Sequence, residues 1–268
     1  MPKSTSLELE STAKRKGYRV KWTDDESTAL SWAESRKFDV VFLNASTPIN
    51  FQRQLSEKIW SENQVALVYA YDLSDEGTAD PKMRLYGAEL AVGPDARQIL
   101  EKTLETLKED ALSGFYDGNV LVVEDLDSPR DIICVFVEGL VRTPVVGVSS
   151  GSAALEALNS EPGKYSCIIT DIRMPEMTGD ELIRRIRRDE ALKHIPVIVL
   201  TAFGTVDCLI DCLKAGASGF LVKPPKKNDM LREIERARRI LSRGLSPRLV
   251  SAEEAESLKD HSMGQRPM

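Results

Sequence analysis

Short runs of β-forming residues alternate with helical patterns along most of this chain, and that alternation constrains its fold more than any other feature. Between residues 119 and 243 the order is regular, with five apolar runs that are each followed by an amphipathic stretch. Parallel strands need a crossover helix between them, so this order predicts a doubly wound parallel sheet. The predicted strands are 119–123, 145–148, 166–170, 197–201 and 219–222.

The first half of the chain repeats this order in a weaker form. When 39–48 is aligned with 166–175, the strands and their following prolines coincide, and Asn44 falls on Asp171. We therefore predict two α/β domains in tandem. Only about five residues precede the first predicted helix, so the first domain lacks a first strand. Either its sheet closes differently or the chain starts further upstream, and the sequence leaves both alternatives open.

The domain boundaries follow from these patterns. We predict a first domain at 1–112, a linker at 113–118, a second domain at 119–243 and a polar tail at 244–268. Within the first domain the patterns predict a strand at 18–22 and a helix at 75–86, and within the tail a weak helical stretch at 252–258.

Composition excludes several classes of protein. A net charge of -6 and a pI near 5.2 argue against a nucleic-acid-binding face. No apolar run approaches the ~18 residues of a membrane helix, and the start lacks the apolar core of a signal peptide, so we expect a cytoplasmic protein. The four cysteines form no Cys-x-x-Cys pair and the chain has only two histidines, which favours reduced thiols over a metal site.

Chemically informative residues stand where the predicted strands of the second domain end. Asp171 follows the central strand, and Glu124 and Asp125 follow the first. The carboxyl ends of parallel strands meet at one edge of the sheet, so these acids are expected to share a pocket. A phosphoryl donor would be repelled by them unless a hard cation intervened, and Mg²⁺ suits oxygen ligands of this kind.

Residues 119–243 resemble the receiver domain of two-component response regulators, a flavodoxin-like module phosphorylated on aspartate. The resemblance rests on five features: the Glu124-Asp125 pair, Asp171 with Met174-Pro175 and Gly179, Thr201-Ala202, Phe220, and Lys223-Pro224. It implies that Asp171 is the phospho-acceptor and that the backbone carbonyl of Arg173 completes the Mg²⁺ site. It also implies that Lys223 contacts the phosphoryl oxygens, while Thr201 and Phe220 form a two-state switch.

Each of these residues also has a plainer interpretation. The acidic pair could be a polar strand end, Asp171 a turn cap and Lys223 a surface lysine, while Thr201 and Phe220 could merely fill strand ends. The run 184–188, which contains four arginines, is interpreted as a solvated helix face, with a basic docking patch as the alternative.

The first domain resembles a degenerate receiver. Asn44 replaces the acceptor acid, Tyr69 replaces the threonine, and Gly93-Pro94 replaces the lysine-proline pair. An amide cannot form the acyl phosphate, so we predict no phosphorylation there. The domain is expected to serve dimerisation or partner docking, unless it is a relic that only supports its neighbour.

The resemblance also sets expectations about output. Too little chain follows residue 244 for a DNA-binding, cyclase or phosphodiesterase domain, so we expect signalling through a downstream protein. The implied donor is a histidine kinase or a histidine phosphotransfer protein, and a homodimer is a further candidate assembly. The chain would not be an enzyme beyond its own phosphorylation and dephosphorylation. The alternatives are a phosphorelay intermediate, a constitutive scaffold, and an aspartyl-phosphate hydrolase, against which Arg173 counts because haloacid-dehalogenase-like phosphatases carry an acid there.

Overall fold

The structure is a computed structural model of the chain, and it describes residues 3–63, 66–80, 82–85, 87–110, 118–202 and 206–256. The chain divides into two compact units, Met1–Gly114 and Phe115–Met268. The predicted linker at 113–118 lies outside the described residues apart from Gly118. None of the described helices is long and apolar enough to cross a membrane.

The first unit is built on a short parallel sheet with helices on both faces. Its strands are β1 (Val40–Asn44), β2 (Leu67–Asp72) and β3 (Glu89–Val92), and its helices are α1 (Lys3–Arg15), α2 (Glu26–Ser35), α3 (Ile49–Glu62), α4 (Lys82–Leu85) and α5 (Ala96–Asp110). The strands pair in the order β1-β2-β3. Alternate side chains of β2 pack on opposite faces, with Val68 beside α2 and α3 and Tyr69 beside α1 and α5.

Two predictions for this unit are wrong. Residues 18–22 form no strand. A strand needs a neighbour for its backbone groups, and within the described part of the chain residues 18–22 pair with none, not even with the outer edge of β1. The helix predicted at 75–86 is reduced to Lys82–Leu85. The Asp72 side chain accepts a hydrogen bond from Ser74 N–H at 3.0 Å and Gly77 N–H donates to Ser74 O at 2.9 Å, so this segment begins as a turn.

The second unit has the predicted doubly wound architecture. Its strands are β4 (Asn119–Val123), β5 (Val145–Val148), β6 (Tyr165–Asp171), β7 (Val197–Thr201) and β8 (Gly219–Val222). Its helices are α6 (Asp127–Glu138), α7 (Gly151–Ser160), α8 (Gly179–Arg188), α9 (Val206–Ala215) and α10 (Lys227–Arg243). The five strands are parallel in the order β5-β4-β6-β7-β8, which confirms the flavodoxin-like sheet for this unit.

The central strand β6 is buried because both of its faces are covered. Ile168 packs with α7 and α8 in one apolar cluster, and Ile169 packs with α6 and α10 in the other. Both side chains are fully buried, as expected for the middle strand of a parallel sheet. This packing holds the end of β6, and therefore Asp171, in a fixed position.

The residues after α10 pack back onto the second unit. Gly244 ends α10 in a left-handed conformation with φ of 60°, and Leu249 N–H then donates to Ala217 O at 2.8 Å. Leu249, Val250 and Ala255 are buried although the tail as a whole is polar. Residues 252–256 are helical, and the last two residues of the predicted 252–258 stretch lie outside the described residues.

This packing predicts that Leu249→Ala destabilises the second unit by about 2–3 kcal/mol, because it removes a buried side chain and leaves a cavity. Leu245 is 46% exposed, so Leu245→Ala is the matched control and should change stability by less than ~0.5 kcal/mol. Urea unfolding followed by far-ultraviolet circular dichroism measures both. Equal effects of the two substitutions would contradict the packing.

Candidate functional site

Asp171 is the last residue of β6, and its carboxylate is held by the backbone that follows it. Ile172 N–H donates to Asp171 Oδ1 at 2.6 Å. The next turn depends on a glycine, since a Cβ on Gly179 would lie 2.3 Å from the Asp171 carbonyl oxygen. Gly179 N–H also donates to Ile172 O at 2.8 Å, which closes the turn before α8 begins.

Two further acids follow β4, the neighbour of β6 in the sheet. Glu124 N–H donates to Val148 O at 3.1 Å, so pairing with β5 continues one residue beyond the end of β4. The structure brings Glu124, Asp125 and Asp171 together, with one carboxylate oxygen of each lying within 4.8 Å of the others. Glu124 is 2% exposed, whereas Asp125 and Asp171 are partly exposed.

Lys223 joins two of these acids. Its backbone N–H donates to Thr201 O at 2.7 Å, which places the residue just past the end of β8. Its Nζ donates to Glu124 Oε2 at 2.5 Å and to Asp171 Oδ2 at 2.8 Å. Burial lowers the pKa of Lys223, but the hydrogen bonds to Asp171 and Glu124 outweigh it, so the pKa lies above its ordinary value. The side chain is therefore an ammonium at neutral pH.

The charges in this pocket suit a divalent cation. Three carboxylates and one ammonium leave two negative charges uncompensated when the acids are ionised. Oxygen ligands from a few carboxylates are what Mg²⁺ binds in proteins. Arg173, whose carbonyl the resemblance implies as a further ligand, lies exposed two residues after Asp171.

The two predicted switch residues lie on the neighbouring strands. Thr201 ends β7 and is buried. Phe220 lies opposite Val199 in the β7–β8 pair and packs, half-buried, against the apolar cluster under α7 and α8. Thr201 therefore lies at the carboxyl edge of the sheet, whereas Phe220 lies two residues before the end of β8, and neither belongs to the ion-paired group of Glu124, Asp171 and Lys223.

Arg130 supports the site and was not anticipated from the sequence. Its Nη1 donates to Glu124 O at 3.0 Å, and its Nη2 pairs with Asp127. The guanidinium therefore ties the start of α6 to the backbone of the acidic pair. The only signal in the sequence was the spacing of Asp127 and Arg130, which is that of an ordinary helix-surface ion pair.

Much of the basic run on α8 has structural partners. Arg184 pairs with Asp180 at 2.6 Å and Arg185 with Glu181 at 3.1 Å. Arg187 donates to the carbonyl oxygens of Gly216 at 2.9 Å and Ile195 at 2.7 Å. Arg187 thus binds neighbouring loops and does not belong to a free basic surface.

No disulfide joins the four cysteines, all of which lie in the described part of the chain, and two of them are buried. Burial raises the pKa of Cys167 and of Cys212 to about 12. At pH 8 only about one thiol in 10,000 is then ionised, so we expect both to react with a disulfide reagent at least ~1,000-fold more slowly in the folded protein than in urea. Peptide mapping after timed labelling measures this, and fast labelling of Cys167 in the folded protein would contradict its burial.

The sequence of the second unit is similar to the sequences of known proteins. The family model of the response regulator receiver domain matches residues 120–235. The two-component response regulator ORR11 of Oryza sativa is 40% identical over 129 residues, which cover 47% of this chain and 84% of that protein. The chemotaxis protein CheY of Pseudomonas aeruginosa is 37% identical over 117 residues, which cover 44% of this chain and 93% of that protein. Through its second unit, the chain therefore belongs to the two-component response regulators.

Proposed function

We propose that Asp171 accepts a phosphoryl group from a histidine kinase or a histidine phosphotransfer protein, and that the phosphorylated chain signals by binding another protein. The observation that carries this proposal is the meeting of three carboxylates within 4.8 Å, with Lys223 bound to two of them. Receiver domains are signalling modules, so the chemistry assigned to this chain is limited to its own modification.

Different residues of the site would have different roles in phosphoryl transfer. An oxygen of Asp171 forms a bond to phosphorus as the bond between phosphorus and the donor histidine nitrogen breaks. The electron pair of the broken bond stays on that nitrogen, and a proton on the other ring nitrogen makes the departing group a neutral imidazole. Glu124, Asp125, Asp171 and the carbonyl of Arg173 would hold Mg²⁺, which supplies positive charge beside the phosphoryl oxygens. Lys223 supplies a second positive charge beside Glu124 and Asp171.

Thr201 and Phe220 are assigned to the response. The hydroxyl of Thr201 would move to donate to the phosphoryl group, and the space it leaves would let Phe220 turn inward. Phe220 is only half-buried in this structure, so it has apolar surface still to bury. The phosphorylated and unphosphorylated forms would then present different surfaces to a partner.

The first unit is proposed as a degenerate receiver that serves association and takes no phosphoryl group. Asn44 stands at the end of β1, where its side-chain oxygen accepts a hydrogen bond from Ser46 N–H at 2.9 Å. Among the described residues, the acids that are close enough together to hold a metal ion all lie in the second unit, and none belongs to the first. A carboxamide at this place cannot replace the acceptor carboxylate.

Incubation with acetyl phosphate and Mg²⁺, followed by intact-mass measurement, tests the proposal. We expect one added phosphoryl group per chain, and none when EDTA removes the Mg²⁺. Continuous turnover of a phosphate ester would favour a hydrolase instead. An unchanged mass under all conditions would overturn phosphoryl acceptance and leave a constitutive scaffold.

A further inference from the structure

The strand β1 has an open edge. Within the described part of the chain it pairs only with β2, whereas β6, its counterpart in the internal repeat, pairs with both β4 and β7. No backbone hydrogen bond joins the described residues 18–24 to β1. Among the described residues, the sheet of the first unit therefore ends at β1, whereas the sheet of the second unit continues beyond β6.

Two hydrogen bonds identify the residues that face this edge. Leu67 N–H donates to Asp39 O at 2.9 Å, and Ala45 N–H donates to Tyr71 O at 2.8 Å. In a parallel pair, the N–H and C=O of one residue point to the same side and successive residues alternate. The odd-numbered residues of this segment therefore face β2. The backbone groups of Val40 and Phe42 point to the open edge, as does the N–H of Asn44, whereas the Asn44 carbonyl accepts a hydrogen bond from Thr47 N–H at 3.0 Å.

This edge lacks the usual protection against pairing. In exposed edge strands, a lysine, a proline or a β-bulge normally prevents pairing with a strand of another chain. Residues 40–44 contain neither residue type, and their register with β2 is unbroken. Val41 and Phe42 pack into the two apolar clusters on opposite faces of the sheet, so the strand is apolar on both sides.

We propose that β1 pairs in antiparallel fashion with β1 of a second copy of this chain, with a two-fold axis at Phe42. The three outward residues are symmetric about that position. Phe42 would exchange backbone hydrogen bonds with the partner's Phe42, and the N–H of Asn44 would donate to the carbonyl of the partner's Val40. One continuous sheet would then run through the first units of both copies.

The charges around α2 favour the same arrangement. Only residues 36–39 connect α2 to β1, and Ala33 of α2 packs in the same cluster as Leu43. The helix therefore runs back along β1 with its start beside the carboxyl end of the strand. That start carries exposed Asp24, Asp25 and Glu26, whereas Arg36 and Lys37 are exposed at the other end. Antiparallel pairing places the acidic end of one helix nearest to the basic end of the other.

The inference rests on the proposed role of the first unit in association and is independent of phosphoryl transfer to Asp171. It is therefore tested with the full, unphosphorylated chain by sedimentation velocity at increasing concentration. We expect a dimer that Phe42→Lys or Phe42→Glu weakens by at least ~100-fold, because like charges would stand directly opposite each other. Mixing the two variants should restore a dimer. Ile99→Lys, on α5 of the same unit, is the control and should leave dimerisation unchanged.

If the charged variants do not fold, a cysteine variant tests the pairing of β1 with β1 of the second copy. Phe42→Cys should form a disulfide between two chains on mild oxidation, while Val68→Cys on the central strand should not. A monomeric wild-type chain at tens of micromolar, a dimer that both charged variants leave intact, or a Phe42→Cys variant that stays uncrosslinked would each overturn the proposal. In all these cases acetyl phosphate modification of Asp171 should be unaffected, so the two proposals fail separately.

Discussion

Asp171→Asn should leave the chain unmodified by acetyl phosphate and Mg²⁺, with the phosphoryl adduct reduced by at least ~100-fold. The substitution keeps the shape of the side chain, and the carboxamide can still accept the hydrogen bond from Ile172 N–H. It removes the nucleophilic carboxylate that the acyl phosphate requires. Intact-mass measurement of wild type and variant under identical conditions gives the comparison.

Asp127→Asn is the matched control for this result. Asp127 lies near the acidic pair in the chain, but its side chain is 85% exposed and pairs with Arg130. It is not one of the three acids that the structure brings together. We expect the control to take up one phosphoryl group. An adduct that survives in Asp171→Asn, or that disappears in Asp127→Asn, would show that the acceptor has been assigned to the wrong acid.

Gly179→Ala should destabilise the second unit by about 2–3 kcal/mol and slow its phosphorylation. The new Cβ would lie 2.3 Å from the Asp171 carbonyl oxygen, and a backbone atom cannot move aside as a flexible side chain can. Relief of this contact must shift either the end of β6 or the start of α8. Both shifts would move the Asp171 carboxylate relative to Glu124 and Lys223.

Gly139→Ala provides the comparison for stability. Gly139 has φ of -70°, and the nearest heavy atom to an added Cβ is 3.4 Å away, so alanine there should be neutral or slightly stabilising. All three tryptophans, Trp22, Trp32 and Trp60, belong to the first unit. Tryptophan fluorescence therefore reports the first unit, while circular dichroism reports both. If Gly179→Ala shifted the unfolding transition seen by fluorescence but not the one seen by circular dichroism, the contact assigned to the added Cβ in the second unit would be contradicted.

The second unit was predictable because its local and tertiary signals agree. Each strand there is a short apolar run followed by an amphipathic helix, and the sheet order places the ends of β4 and β6 side by side. The proximity of Glu124 and Asp171 follows from that order. The supporting role of Arg130 does not, because a contact from a side chain to a backbone carbonyl leaves no periodic pattern in the sequence.

The first unit shows where local signals fail. Residues 18–22 alternate as a strand should, but strand formation depends on pairing with a neighbour, and the pattern cannot show that these residues pair with none in the described part of the chain. In the tail, the local signal misleads in the opposite direction, because it gives no sign of packing that the structure contains. Its composition is polar, yet Leu249 and Val250 are buried against the second unit through contacts distant in sequence.

Identification of the residue that carries the phosphoryl group tests directly whether Asp171 is the acceptor. The full chain, phosphorylated with acetyl phosphate in Mg²⁺, is reduced with borohydride to trap the acyl phosphate, digested and mapped by mass spectrometry. We expect reduction at Asp171 alone, in a peptide that spans the end of β6. A trapped product at any other acid, or in the first unit, would contradict it.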